Sequence, residues 1–406
     1  MGIASPVDGQ QTGLPESRFK LPFDAEHLDE LLAQAGIDVL IASTRHNIQY
    51  LVGRNYRFSF FEHFEAMGIS RYLPLLIYPR GRPDRASYVG FPLEAYEKDL
   101  GSFWMPTVEF AGSAPAAMHT AIKHLRRLGP ETLKIGLERS FMPADAEELL
   151  RTELPRLEIR DALLPLERLR AIKTPGELYL LREASEKVVD AMLAVIASNR
   201  PGVSKRELVD ALKVEEVKRG LAFEYCQITG GTSLNRAPSD QHWNAGDILS
   251  LDSGGNYHGY IGDLCRMAIQ GEPDAELEDL LGSIEEVQQA ARKPIRKGAA
   301  GREIFAAAAE VQRRLPRGIV LDFTAHGMGL VTHEAPRLTD SGPIPYPAAD
   351  ADLPMQPGMV ISVETTLQHP RRGFIKLEDT LAVTDEGWDS FGDGGRGWNR
   401  GGTASS

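Results

Sequence analysis

Residues 248–253 read Ile-Leu-Ser-Leu-Asp-Ser and residues 360–365 read Val-Ile-Ser-Val-Glu-Thr, a match in residue class at every position. Each stretch follows a turn glycine, Gly246 or Gly358, and each precedes a second apolar run bearing another acid, Asp263 or Glu378. Short apolar runs of this kind fit half-buried strands, so the repeat predicts two related β-hairpins with one carboxylate per strand. Asp252 and Asp263 are equidistant from the Tyr257-His258 turn, and Glu364 and Glu378 flank Arg371 symmetrically. The acids of each pair are therefore expected to face one another across the ladder. Opposed carboxylates on half-buried strands repel unless a cation lies between them. A divalent metal is the natural cation, because hard oxygen ligands suit Mn, Mg, Co or Fe and also tolerate Zn. Four carboxylates exceed the needs of one ion, which points to two bridged ions about 3.5 Å apart. One imidazole would complete the set. His326, in Ala325-His326-Gly327-Met328-Gly329, is the candidate, since its flanking glycines let backbone and ligand approach closely.

The rest of the chain supplies a frame for these hairpins. At 406 residues, it has material for two or three domains. The 42% hydrophobic and 25% charged content is that of an ordinary globular protein. Asp and Glu outnumber Lys and Arg by 57 to 45, giving a net charge of −12 with no offsetting basic block. Nucleic-acid binding is thereby excluded as an expectation. The longest strongly apolar stretch, Tyr72 to Tyr78, is too short to cross a bilayer, and the N-terminus lacks a secretion pattern. Two cysteines, Cys226 and Cys265, make no disulfide framework. A cytoplasmic protein without membrane partners is the expectation.

Residues 1–16 are polar and aperiodic and read as a flexible tail. Residues 17–165 alternate strand-like runs (Val39 to Ala42, Leu73 to Tyr78, Ala86 to Val89, Lys134 to Leu137) with helical patterns, which predicts a small α/β domain. Leu164 to Lys173 reads as a hinge. Thr174-Pro175 then opens a long helix to about Ser198, and Ser204 with Glu207 opens another through a capping box. Helical patterns at 274–297 and 302–315, mixed with the hairpins, predict an α+β second domain over residues 166–388. Residues 389–406 are Gly-rich and read as a flexible tail.

The ordered set LDSGGNYHGYIGDLCR (251–266), HGMGLVTHEAP (326–336), ISVETT (361–366) and IKLEDT (375–380) resembles the signature of the pita-bread metallohydrolases. That family includes methionine aminopeptidase, Xaa-Pro aminopeptidase, prolidase and creatinase. The resemblance runs from Ile172 to about Glu386. The segment ending in Asn47-Ile48-Gln49-Tyr50-Leu51-Val52-Gly53 resembles the creatinase/prolidase N-terminal domain, which points to the two-domain branch. The resemblance implies a homodimer whose pita-bread domain binds two divalent ions (Mn, Co, Fe or Zn) through Asp252, Asp263, His326, Glu364 and Glu378. Asp263 and Glu378 would bridge both ions. His333 would hydrogen-bond the substrate or the tetrahedral intermediate, and Glu364 would act as general base. The implied activity is hydrolysis of a C–N amide bond, as in an Xaa-Pro peptidase.

Two positions depart from the family. Asn235, seventeen residues before Asp252, stands where the peptidases carry a substrate-binding histidine, and an amide cannot shuttle a proton at neutral pH. His242 is out of register with that position and reads as a loop residue. Lys376 replaces the usual arginine, keeping the charge but losing the bidentate fork. Arg57, in an aromatic run, and Arg337 are candidates for gripping a substrate carboxylate, with Asn235 beside them as a substrate-binding residue. Two alternatives therefore stay open. One is a hydrolase or lyase of a small zwitterionic metabolite such as creatine, ectoine or dimethylsulfoniopropionate. The other is a non-catalytic binding scaffold.

Overall fold

A computed structural model of the chain describes residues 21–53, 60–129, 133–315, 321–341 and 346–402. The chain divides into two units, Met1–Ala162 and Leu163–Ser406. The expected tail at 1–16 and the candidate Arg57 lie outside the described residues.

In the first unit, strands Val39–Ala42 (β1), Leu75–Pro79 (β2), Ser87–Gly90 (β3), Thr107–Phe110 (β4), Lys134–Leu137 (β5) and Glu158–Asp161 (β6) form one sheet in the order β4-β3-β2-β1-β5-β6. The central strands β1 and β2 are buried throughout, which explains why their apolar runs were legible. The expected strands hold to within two residues. Strands β4 and β6 escaped the sequence reading because their residues are only half-buried or exposed, so no apolar run marks them. The helices Ala114–Leu128 and Ala144–Glu153 pack Met118, Ala121, Ile122, Leu125 and Leu150 onto the sheet.

The second unit begins with a helix, Leu163–Ala171, where the sequence suggested a hinge. Leu166, Leu169 and Ala171 are buried there, and this apolar face holds the segment helical. Next come the helices Pro175–Ser198 and Lys205–Lys218, both opened by capping boxes: Thr174 with Glu177 and Ser204 with Glu207. A two-residue pair, Val203–Ser204 (β7) with His242–Trp243 (β9), lies apart from the main sheet. That sheet contains Ala222–Gly230 (β8), Ile248–Tyr257 (β10), Tyr260–Ile269 (β11), Leu321–Gly327 (β12), Val360–His369 (β13) and Gly373–Val383 (β14), in the order β12-β13-β14-β11-β10-β8. The internal repeat thus extends beyond the hairpins. Two helices and three strands come first, and then the helices Ala275–Arg292 and Gly301–Gln312 precede three more strands. Each helix pair buries its apolar face on its own three strands, and the two hairpins meet at the centre, where Cys265 pairs with Glu378.

Residues 389–402, expected to form part of a flexible tail, depart from that expectation. Trp388–Phe391 (β15) pairs with β14, and Asn399–Arg400 (β16) pairs with β11. Trp398 is buried with its indole nitrogen on the Leu277 carbonyl, and the Arg396 guanidinium contacts Asp379, which is 1% exposed. Arg266 and Arg292 also approach Asp379. A few anchors tie down this glycine-rich segment, and composition averages them away. Among the described residues, no helix is long and apolar enough to cross a membrane.

Candidate metal centre

The sheet order places one candidate ligand on each of five adjacent strands: His326 on β12, Glu364 on β13, Glu378 on β14, Asp263 on β11 and Asp252 on β10. Glu364 and Glu378 are direct partners across the β13–β14 ladder, as the symmetric spacing predicted. Asp252 and Asp263 are not. The β10–β11 hairpin turns at His258-Gly259, both at positive φ (53° and 99°), so Asp252 pairs with Cys265 and Asp263 with Gly254. The two acids are diagonal neighbours on one face, still within reach of one another's field. The error came from placing the turn one residue early, a shift only backbone dihedrals reveal.

All five groups are largely or wholly buried. Asp263, His326 and Glu378 offer ligand atoms that lie within 4.8 Å of one another. His326 Nε2 is 3.6 Å from Glu364 and 3.8 Å from Glu378. Among the described residues it has no hydrogen-bond partner, although the side chain is 1% exposed. A buried imidazole nitrogen left without a partner costs free energy, and nitrogen with two carboxylates is a donor set that borderline divalent ions accept. These three residues fit a metal ion.

The remaining geometry is set by hydrogen bonds. Tyr225, on β8, donates its hydroxyl to Asp263, and Ser362 donates to Glu378 at 2.8 Å. Lys376 Nζ lies 2.8 Å from Asp252, 2.5 Å from Glu364 and 2.8 Å from Glu378. The Arg236 guanidinium reaches the same Asp252 oxygen and stacks over Phe374 at 5.0 Å. Burial and the Asp252 charge push Asp263 up to about 7, and burial with Asp263 pushes Glu378 well above the carboxylate range. Glu364 goes the other way: burial would raise it, but Lys376 and His326 hold it well below that range.

His333 stacks on His326, with ring centroids 3.8 Å apart. Burial, then the neighbouring imidazole, lowers it to about 3, so it is neutral at working pH. Its loop is pinned by the adjacent Glu334, which is buried and pairs with Arg170 at 2.8 Å and Lys173 at 3.0 Å. Gly327 lets that loop close, since a Cβ there would collide with the backbone of Ala335 and Pro336.

Of the candidates for substrate binding, Arg337 commits both guanidinium arms to Glu167, each at 2.7 Å. The paired bonds fix the guanidinium on Glu167 and spend two of its five N–H donors. Asn235 is exposed, and its side chain accepts from the Ala237 amide at 2.8 Å, capping its own loop. Its neighbour Arg236 reaches Asp252. Sequence reasoning missed Arg236 and Tyr225, because a single cation or phenol in a strand or loop carries no periodic signal. A cavity of about 440 Å³ opens beside the cluster, walled by Leu234, Arg236, Phe323, Phe374 and Glu364.

Comparison with known proteins agrees with this arrangement. The pattern of Metallopeptidase family M24 matches residues 179–385, and that of the Creatinase/Prolidase N-terminal domain matches residues 25–172. The "Uncharacterized peptidase YqhT" of Bacillus subtilis is 23% identical over 368 residues, covering 89% of this chain and 95% of that protein. The "Probable dipeptidase PepE" of Mycobacterium tuberculosis is 30% identical over 230 residues, 55% of this chain and 58% of that protein. The solved structure of an Xaa-Pro dipeptidase from Bacillus anthracis shares the fold with a TM-score of 0.76 at 23% identity, covering 93% of this chain and 98% of that one.

Proposed function

The chain belongs to metallopeptidase family M24, and from that premise we propose that it hydrolyses the amide bond of an Xaa-Pro-type peptide with a divalent ion held by Asp263, His326 and Glu378. The observation that carries this reading is the unpartnered, buried Nε2 of His326 facing two carboxylates. Asp252 and Glu364 are the remaining carboxylates of the set implied by the resemblance. Mn, Co, Fe or Zn suits a mixed oxygen and nitrogen site.

When bound, the ion supplies Lewis acidity, lowering the pKa of water and polarising the scissile carbonyl. The protein's own groups do the rest. Glu364 lines the cavity; Lys376 on Oε2 keeps it ionised, and its Oε1 accepts the hydrogen bond of the attacking water, the position of the general base that the resemblance implies. His333, neutral and locked by stacking, donates a hydrogen bond to the developing oxyanion. Tyr225 keeps Asp263 oriented. Leu234, Phe323 and Phe374 offer an apolar wall suited to a proline ring.

A homodimer rests on the family resemblance, and light scattering on the purified protein tests it. A cytoplasmic setting is supported by Cys226 and Cys265, both buried and free. The decisive experiment strips metal with a chelator, restores Mn, Co, Fe or Zn, and follows hydrolysis of Xaa-Pro dipeptides and tripeptides. Metal-restored turnover is expected. Its failure with every ion on every peptide removes the peptidase reading.

A further inference from the structure

The ammonium of Lys376 occupies an unusual position. It is 4% exposed and touches Asp252, Glu364 and Glu378, three of the four carboxylates in the cluster. An ammonium has three N–H donors and no acceptor, so three acidic partners satisfy it completely. A compact point charge serves three separate carboxylates better than a planar guanidinium, whose fork favours one. Arg236 places a second cation on the same oxygen of Asp252. Asp263, His326 and Glu378, by contrast, form a group with converging ligand atoms. Glu364 also approaches His326, at 3.6 Å through Oε1, but its Oε2 is held by Lys376 at 2.5 Å.

Charge balance leads to the same place. Lys376 and Arg236 neutralise two of the four carboxylates, and one divalent ion neutralises the other two. A second divalent ion would leave two positive charges in excess, of which the partly exposed Arg236 passes only its own to water, and a bound anion of single charge would offset only one. Uncompensated charge away from water is strongly unfavourable.

We propose that Lys376 stands in for one of the two cations, so that the site binds a single divalent ion on Asp263, His326 and Glu378 while the ammonium holds Asp252 and Glu364. This departs from the pair of ions that the family resemblance implies, and it rests on the metal-site reading above.

The test is metal stoichiometry on the full-length protein. Stripped protein is titrated calorimetrically with Mn²⁺, and the dialysed product is analysed for metal content. The wild type is expected to hold one equivalent. Two equivalents overturn the proposal and leave the metal-site reading standing, whereas none removes that reading itself. Lys376→Gln is expected to gain a second equivalent, because Asp252 and Glu364 lose their counter-cation. A folded Lys376→Gln variant that still binds one equivalent also overturns the proposal. Should that variant not fold, the electron paramagnetic resonance of Mn-loaded wild type decides. An isolated-ion hyperfine pattern supports the proposal, and an exchange-coupled pair refutes it.

Discussion

Replacing Glu216 with Gln should stabilise the protein, by an amount that depends on pH. Glu216 is fully buried behind Ser253, the residue after Asp252. Burial pushes its carboxyl from an ordinary 4.5 up to about 8. The hydrogen bonds agree with a protonated acid. The Ser253 hydroxyl lies 3.0 Å from Glu216 Oε1 and 2.8 Å from the Tyr225 carbonyl, and it has one proton to give. A protonated Glu216 donates to Ser253, which then donates to Tyr225. The folded state therefore binds a proton that the unfolded state releases above pH 4.5, so this group's contribution to stability falls as pH rises from about 4.5 to about 8. Each pH unit in that window costs about 1.36 kcal/mol, or of order 3 kcal/mol by pH 7. Glutamine keeps the donor and removes the titration. Urea unfolding, followed through tryptophan fluorescence, to which Trp243 in the same core contributes, should show wild type and Glu216→Gln equal near pH 4, with the variant pulling ahead up to pH 8. A difference that stays constant from pH 4.5 to 8 would refute the protonated-acid assignment.

Three further outcomes follow from the site. His333→Ala should lower kcat on Xaa-Pro substrates by roughly 10²–10³ with a small change in KM, as expected for loss of an oxyanion donor; an unchanged kcat removes that role. Metal affinity should fall by roughly tenfold for each pH unit below 7 and for each proton displaced, because Asp263 is pushed up to about 7 and Glu378 higher, so protons compete with the ion. Calorimetric titrations showing the same affinity at pH 6 and pH 8 would contradict this. Tyr225→Phe deletes the hydroxyl bound to Asp263 but keeps the ring. Metal affinity should fall roughly 10–100-fold with the melting temperature little changed, and equilibrium dialysis against Mn²⁺ reads the loss.

Legible in the chain by itself were the two hairpins, the capped helices, the α/β and α+β characters of the two halves, and the four acids and one imidazole as candidates. All of these leave local traces: period-two apolar runs, glycine turns, and Ser or Thr three residues before Glu. Three things depended on tertiary structure. The diagonal offset of Asp252 and Asp263 follows from the φ angles of one turn, and composition does not encode φ. The ordered C-terminal strands are held by Arg396 and Trp398 on partners 17 and 121 residues away in sequence. The roles of Lys376, Arg236 and Arg337 were decided by which carboxylate each one meets, since a cation's identity is local but its partner is not. Arg337 pairs with Glu167, whereas Lys376 and Arg236 both meet Asp252.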